Sequence, residues 1–272
     1  MAIENRPAPR KNAPSYSYHE LASAEAARRI VQSPDVLEVP KRHRFVTIET
    51  KDGSVEANMA RTIERQVFEK FFDNDAERMA AIYGSYEEAS RFFLCIDTSK
   101  QVPAGALRVI ENSPAGLLTL NVAAQPPFNI DMEYARTLHG IENPEQTWDV
   151  GTVAVLPEYR KGRRPVSIQL YRAMYLSAME HNIDHLVSLL DTRVLETIRD
   201  KLGVPFQALG GSKPRPFEGS PATQAVYGYV PDFYPTMHEH RTRTLIGNTV
   251  LRDPLKRLVE GSEDDAIRLL DD

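Results

Sequence analysis

The sequence predicts a mixed α/β fold of the α+β type, with one mainly antiparallel sheet flanked by helices. Three observations carry this. Short runs rich in β-branched and aromatic residues, such as RFFLCID (91–97) and ATQAVYGYV (222–230), recur along the chain. Met59, Ile63, Val67 and Phe71 recur every fourth residue, the spacing of one helix face. A helical segment after Arg160 joins WDVGTVAVLP to HLVSLLD, and a helical connection lets two strands pair in parallel.

Residues 1–17, rich in Pro, Ala and charge, read as an arm. His19–Val31 reads as a short helix, KRHRFVTIET (41–50) as a strand, and KDGS (51–54) as a turn. The helix of Met59–Phe71 follows, widened by Phe68 and Phe72, and a second helical stretch covers Ala76–Ala89. RFFLCID and VPAGALRVIE (102–111) are strands. NSPAG (112–116) is a turn, after which LLTLNV (117–122) is expected to continue the sheet. Asp131–His139 has helical character. Trp148–Leu156 is a strand, and Ile168, Tyr171, Met174 and Ala178 mark the connecting helix. His185–Leu190 is a buried strand expected to lie parallel beside Trp148–Leu156. Leu195, Ile198 and Leu202 give a helix that ends at Gly203. Residues 203–221, dense in Gly and Pro, read as loop, and the tail reads as helical around Leu251–Val259.

Composition narrows the function classes. A chain of 272 residues supports one large domain or two small ones. The net charge of −5 argues against general nucleic-acid affinity. Cys95 is the only cysteine, which excludes an internal disulfide and a cysteine zinc site and fits a reducing cytoplasm. No apolar run approaches membrane-spanning length, and the first residues lack a signal-peptide core. HEH at 238–240 lacks the spacing of a metal motif, so no metal is expected.

Positive charge is concentrated instead at Arg160, Lys161, Arg163 and Arg164, where the connecting helix begins. The helix dipole is already positive there, so these cations are unfavourable unless something negative binds. A phosphate group fits, held by helix-start N–H groups and by planar guanidinium forks.

The stretch VAVLPEYRKGRRPVSIQLYRAM and the pair HLVSLLDTRVLETIRDKLGV together resemble the Gcn5-related N-acetyltransferase superfamily. Val155, Pro157, Tyr159 and Arg160 match its V-x-P-x-Y-R phrase, and Gly203-Val204 stands where Gly-Phe is usual. The resemblance spans roughly residues 44–230 at the level of element order. It implies an acyltransferase domain over 44–230, with an N-terminal arm and helix (1–43) and a C-terminal helical extension (231–272). It also implies direct attack of a small-molecule amine on an acyl thioester. Val153, Ala154 and Val155 would face the pantetheine arm, with a strand N–H near Ala154 on the oxyanion. Arg160, Lys161, Gly162, Arg163 and Arg164 would hold the pyrophosphate. The expected donor is acetyl-CoA or another acyl-CoA.

Two departures shape this reading. The usual loop is R-x-x-G-x-G or R-x-x-G-x-A, but Arg163 and Pro165 replace its glycines. Arg199 stands where the family often has a general-acid tyrosine. Acyl-homoserine-lactone synthases and N-acyl amino acid synthases share both departures and take acyl chains from acyl carrier protein. The chain is similar to them in RTIERQVFEKFF, in GALRVIENSPAGLL and in WDVGTVAV, where Asp149 fills an acidic position and Gly151-Thr152 replaces Ser-Arg. The alternatives are therefore a carrier-protein-dependent synthase and a noncatalytic relative that binds a ligand or partner.

Several residues carry two readings each. Asp149 is either a base that draws the proton from the amine or a strand-end aspartate bonded to a turn. Arg108, inside an apolar strand, needs a partner: a substrate carboxylate, or a structural acid such as Glu111 or Asp149. Phe92, Leu94, Leu107 and Val187 line an acyl tunnel or are plain core. Glu133 and His139 border the acceptor side or are surface residues. Cys95 reads as core.

Overall fold

Ser54 stops one strand and starts the longest helix among the described residues. Its hydroxyl accepts the Ala57 N–H (3.0 Å), the N-cap bond that satisfies an otherwise unpaired helix amide. The helix runs from Val55 to Phe72 and ends on Asp73 in the left-handed region (φ 60°). Met59, Ile63 and Val67 are buried on it as the spacing requires, whereas Phe71 is 45% exposed.

The computed structural model describes residues 13–33, 44–160, 166–246 and 266–269. Lys161, Gly162, Arg163 and Arg164, and the tail helix expected at Leu251–Val259, lie outside the described residues. In chain order the elements are α1 (Glu20–Val31), β1 (Phe45–Lys51), α2 (Val55–Phe72), α3 (Ala76–Tyr83), β2 (Ser90–Asp97), β3 (Val102–Ile110), α4 (Leu118–Ala123) and α5 (Met132–His139). Then come β4 (Thr147–Val155), α6 (Val166–Glu180), β5 (His185–Asp191), α7 (Thr192–Leu202), β6 (Gln207–Ala208), β7 (Arg215–Phe217), β8 (Ser220–Tyr229), α8 (Phe233–Ile246) and β9 (Ala266–Leu269). A 3-10 turn, Gly84–Ala89, links α3 to β2.

The strands form one sheet in the order β6-β8-β5-β4-β3-β2-β1-β9, with β7 paired to β8. Pairing is antiparallel except at β4–β5 and β1–β9. The two strands expected to be parallel neighbours are so, joined through α6. One apolar cluster lies between the sheet and α6, α7 and α8, including Trp148, Val150, Leu170, Ile198 and Phe233. Another lies under α1 and α2, including Ile48, Met59, Phe92 and Leu94. Among the described residues no helix is long and apolar enough to cross a membrane.

Two local expectations are corrected. LLTLNV is not a strand: Leu118–Ala123 is helical. Leu117 gives that helix no side-chain cap, and the Thr119 N–H is satisfied by distant Asp149, a partner that local sequence does not reveal. Residues 203–221 are not all loop, since β6 and β7 pair along β8. In the C-terminal extension the described residues hold α8, Phe233–Ile246, and the strand Ala266–Leu269 beside β1.

Candidate functional site

The fork between β4 and β5 organises the site. The strands pair over only three residues, from Thr147–His185 to Asp149–Val187. Beyond Asp149 they separate. Ser188 Oγ donates to Val150 O (2.7 Å), so a side chain closes the apex where the ladder stops.

On its other edge β4 carries a bulge: Arg108 lies opposite Thr152 but Val109 opposite Val150, so Gly151 is the extra residue. Strict alternation would group Asp149 with Val153 and Val155. The bulge shifts the phase instead. Trp148, Val150, Val153 and Val155 pack toward α6, and Ala154 packs toward α2. Beyond the bulge, Leu156 N–H donates to Ala104 O across β3 (3.1 Å). By the period of two, Ala154 N–H points the same way, and the N–H groups of Val153 and Val155 point toward the gap. Arg160 Nε, which donates to Val155 O (3.0 Å), marks that open edge.

A cavity of about 50 Å³ sits in the fork. Val150, Val153 and Ser188 form its strand walls, and Tyr171, Tyr175 and Phe233 close it from the helices. Phe92, Leu94, Leu107 and Val187 do not line it. They are fully buried and divided among three core clusters. Tyr171, expected only as part of the connecting helix's face, lies on the cavity wall; its phenol makes no hydrogen bond among the described residues and is pushed up to about 12 by burial.

Asp149 faces α4. Its Oδ1 accepts from Thr119 Oγ1 (2.7 Å) and its Oδ2 from Thr119 N–H. Burial pushes its carboxyl up to about 7, with the two Thr119 bonds pulling the other way.

Arg108 does meet carboxylates, but neither Glu111 nor Asp149. Nε and Nη2 form a fork on Glu64 (3.1 and 2.7 Å). Nη2 also reaches Tyr16 Oη (2.8 Å), and Nη1 reaches Glu87 (3.3 Å) and Ser90 (3.4 Å). All five N–H donors of the guanidinium are thereby engaged. Glu111 pairs with Arg91 instead (2.6 Å). Tyr16 Oη donates to Glu87 (2.5 Å), and Thr152 Oγ1 donates to Glu64. Arg61 binds Glu87 (2.6 Å), Asn58 (2.8 Å) and Asp52. Burial works against the Glu87 charge, but Arg108 and Arg61 outweigh it and hold the carboxylate below its ordinary range. Asn58, Arg61 and Glu64 repeat every third residue along α2, a spacing visible in the sequence although the partners they meet are not.

Outside the network, a hollow of about 410 Å³ opens between Pro14, Tyr16, Gly84, Ser85 and Glu87. Arg160 stacks its guanidinium 3.9 Å from the Phe71 ring centroid, and no carboxylate among the described residues pairs with it. Glu133 is exposed on α5, whereas His139 is half-buried and accepts the Gly210 N–H (3.1 Å). Cys95 is buried.

Among solved structures, FeeM, an N-acyl amino acid synthase from uncultured soil microbes, is similar over 74% of this chain and 98% of its own, at 18% identity and a TM-score of 0.53. BjaI, a CoA-dependent acyl-homoserine lactone synthase, gives 15% identity, a TM-score of 0.46 and coverage of 73% and 89%. Tetrahymena Gcn5 gives 12% identity, a TM-score of 0.41 and coverage of 68% and 95%. No family model matches the sequence, and neither does any curated protein. The parallel β4–β5 fork, the helix that joins its arms and the match across nearly all of FeeM give this chain the fold of the Gcn5-related N-acetyltransferases.

Proposed function

We propose that this chain is an N-acyltransferase that moves a short acyl group from coenzyme A to a small-molecule amine. The observation that carries the reading is the fork: an open β4 edge beside an apolar cavity. A pantetheine arm can bond to that edge much as an added strand does. The acyl group enters the cavity. About 50 Å³ gives room for roughly three to four water-sized groups, which favours a short acyl chain.

The amine nitrogen attacks the thioester carbonyl. The developing oxyanion falls to a gap-facing N–H of Val153 or Val155, in place of the Ala154 N–H, which points toward β3. Asp149 faces α4 and lies back along β4 from Val153 and Val155, so it takes the amine proton through water, and a carboxyl near 7 is matched to that task at neutral pH. The leaving thiolate takes a proton as coenzyme A departs, and Tyr171, a protonated phenol on the cavity wall, is placed to supply it. We assign Arg108 a structural role, because it has no N–H left for a substrate carboxylate. Arg160, with its positive charge unmatched at the fork's mouth, meets the pyrophosphate, joined there by Lys161, Gly162, Arg163 and Arg164.

Arg160→Ala is expected to weaken coenzyme A binding by roughly 1.5–3 kcal/mol, the range for hydrogen bonds to charged groups. Calorimetry on the folded variant checks this, and unchanged affinity removes the phosphate role. A thermal-shift titration tests the donor more broadly, since a ligand that binds only the folded state stabilises it by mass action. Stabilisation by acetyl-CoA supports the reading. Stabilisation only by acylated carrier protein supports a synthase of the kind FeeM is named for, with an amino acid as acceptor. No response to any thioester supports a noncatalytic binder.

A further inference from the structure

The open end of the fork is bridged by a segment that the acyl-transfer reading does not use. Because β4 and β5 are parallel, their C-terminal ends, Val155 and Asp191, lie on the same side. The rim on the β4 side is marked by Arg160, which bonds Val155 O and stacks on Phe71, so the C-terminal end of α2 sits there. The rim on the β5 side is marked by Ser220, whose hydroxyl donates to Asp191 Oδ2 (2.8 Å) at the start of β8. Between β7 and β8, Glu218 and Gly219 cross from the second rim to the first. Arg78 Nε donates to Glu218 Oε2 (2.8 Å) and Arg78 Nη2 to Glu218 Oε1. Asn74 Nδ2 reaches Glu218 O (3.4 Å). A Cβ built on Gly219 would lie 2.1 Å from Phe72 O, so the turn's backbone rests directly on the end of α2.

The contact is intimate, yet what holds it is weak. The Arg78 side chain is 53% exposed and that of Glu218 21%, so the two-bond pair lies at the surface on the Arg78 side. Exposed ion pairs contribute little and are screened by salt. Glu218 itself sits at φ 45°, which disfavours the closed turn for a non-glycine residue. On its own side the hairpin has an aromatic anchor that does not cross the fork: Phe217 packs on Phe128 with ring centroids 5.6 Å apart. A tip anchored on one side and lightly held on the other is built to swing.

We propose that the β7–β8 tip is a lid across the mouth of the fork, latched to the α2–α3 corner by the Arg78–Glu218 pair, and that it opens to admit the amine. What passes the lid rests on the acyl-transfer reading; the lid itself does not.

Hydrogen exchange of the full chain, with no ligand added, reads the lid. Arg78→Gln and Glu218→Gln should each speed exchange of the tip amides about two- to fivefold, the span an exposed pair supports. About 1 M salt should do the same to the wild type, since the screening length is then about 3 Å. The double variant should be no faster than either single one, because both remove one latch. Gly219→Ala should also free the tip by wedging it off Phe72. Gly211→Ala, at a similar φ (74° against 78°) but with nothing within 4 Å of its Cβ, should leave the tip unchanged. Tip exchange that ignores Arg78→Gln and salt overturns the lid, whatever the turnover. With acetyl-CoA and a graded series of primary amines, Arg78→Gln should raise turnover on bulky amines relative to small ones. Altered exchange with unaltered amine selectivity overturns the gating role. An exchange response in a protein that turns over no thioester supports the lid and overturns the acyl-transfer reading.

Discussion

Asp149→Asn is expected to cut turnover by about 10²–10⁴-fold, the usual contribution of a positioned base. The same change should make the protein more resistant to urea well above pH 7. The two effects have one cause. Burial raises the folded-state carboxyl from 3.8 to about 7. Between those values the folded protein binds a proton that the unfolded chain has lost. Stability therefore falls as pH rises through that window, and the full penalty applies above about 7. Asparagine keeps the shape and both bonds to Thr119, accepting from its N–H and donating to its hydroxyl, without the charge. Urea midpoints at mildly acidic and mildly alkaline pH should converge for the variant and diverge for the wild type. The wild-type rate should climb through about pH 7, and the residual rate of the variant should not. A stabilised variant with full activity would leave Asp149 as an anchor for α4 and nothing more.

Arg108→Met should destabilise the protein by about 3–5 kcal/mol, the cost of leaving a buried carboxylate without its partner. Glu64 then faces the interior with only Thr152 and no charge to offset its own. Adding Glu64→Leu removes the orphan and should recover most of the loss, since replacing both members of a buried pair by apolar groups is often close to neutral. Equilibrium urea unfolding of the two variants checks this. If Arg108→Met instead folds normally and loses only amine affinity, the guanidinium serves the substrate and our structural assignment is wrong.

These two residues also show how far the sequence could be read. The pattern of β-rich runs, turns and one helical crossover was enough for a mixed sheet with Trp148–Leu156 beside His185–Leu190, because hydrophobic period and connection length are local quantities. Arg108 was legible as a buried charge needing a partner. Its partners were not, since Tyr16, Glu64 and Glu87 come from three distant segments and meet only through tertiary packing. Asp149 was singled out on its strand, but Gly151 inserts a bulge that alternation cannot anticipate, so its neighbours beyond the bulge change face. LLTLNV was misread for a related reason: the Thr119 N–H in its first turn is satisfied by Asp149, thirty positions away in the chain. The acyl cavity was sought among Phe92, Leu94, Leu107 and Val187, which fill the core. The apolar walls that face the fork come from β4, α6, β5 and the segments after it, and the fork's geometry picks them out.

The central claim is that a short acyl group on coenzyme A is transferred within the β4–β5 fork. Its most direct test is turnover across a chain-length series, acetyl to dodecanoyl, with each thioester presented on coenzyme A and on acyl carrier protein and amide products detected by mass spectrometry. Transfer from coenzyme A that is strongest for the shortest chains, and falls once the chain outgrows a cavity of about 50 Å³, is the predicted result. Activity confined to acylated carrier protein and rising with chain length would contradict it.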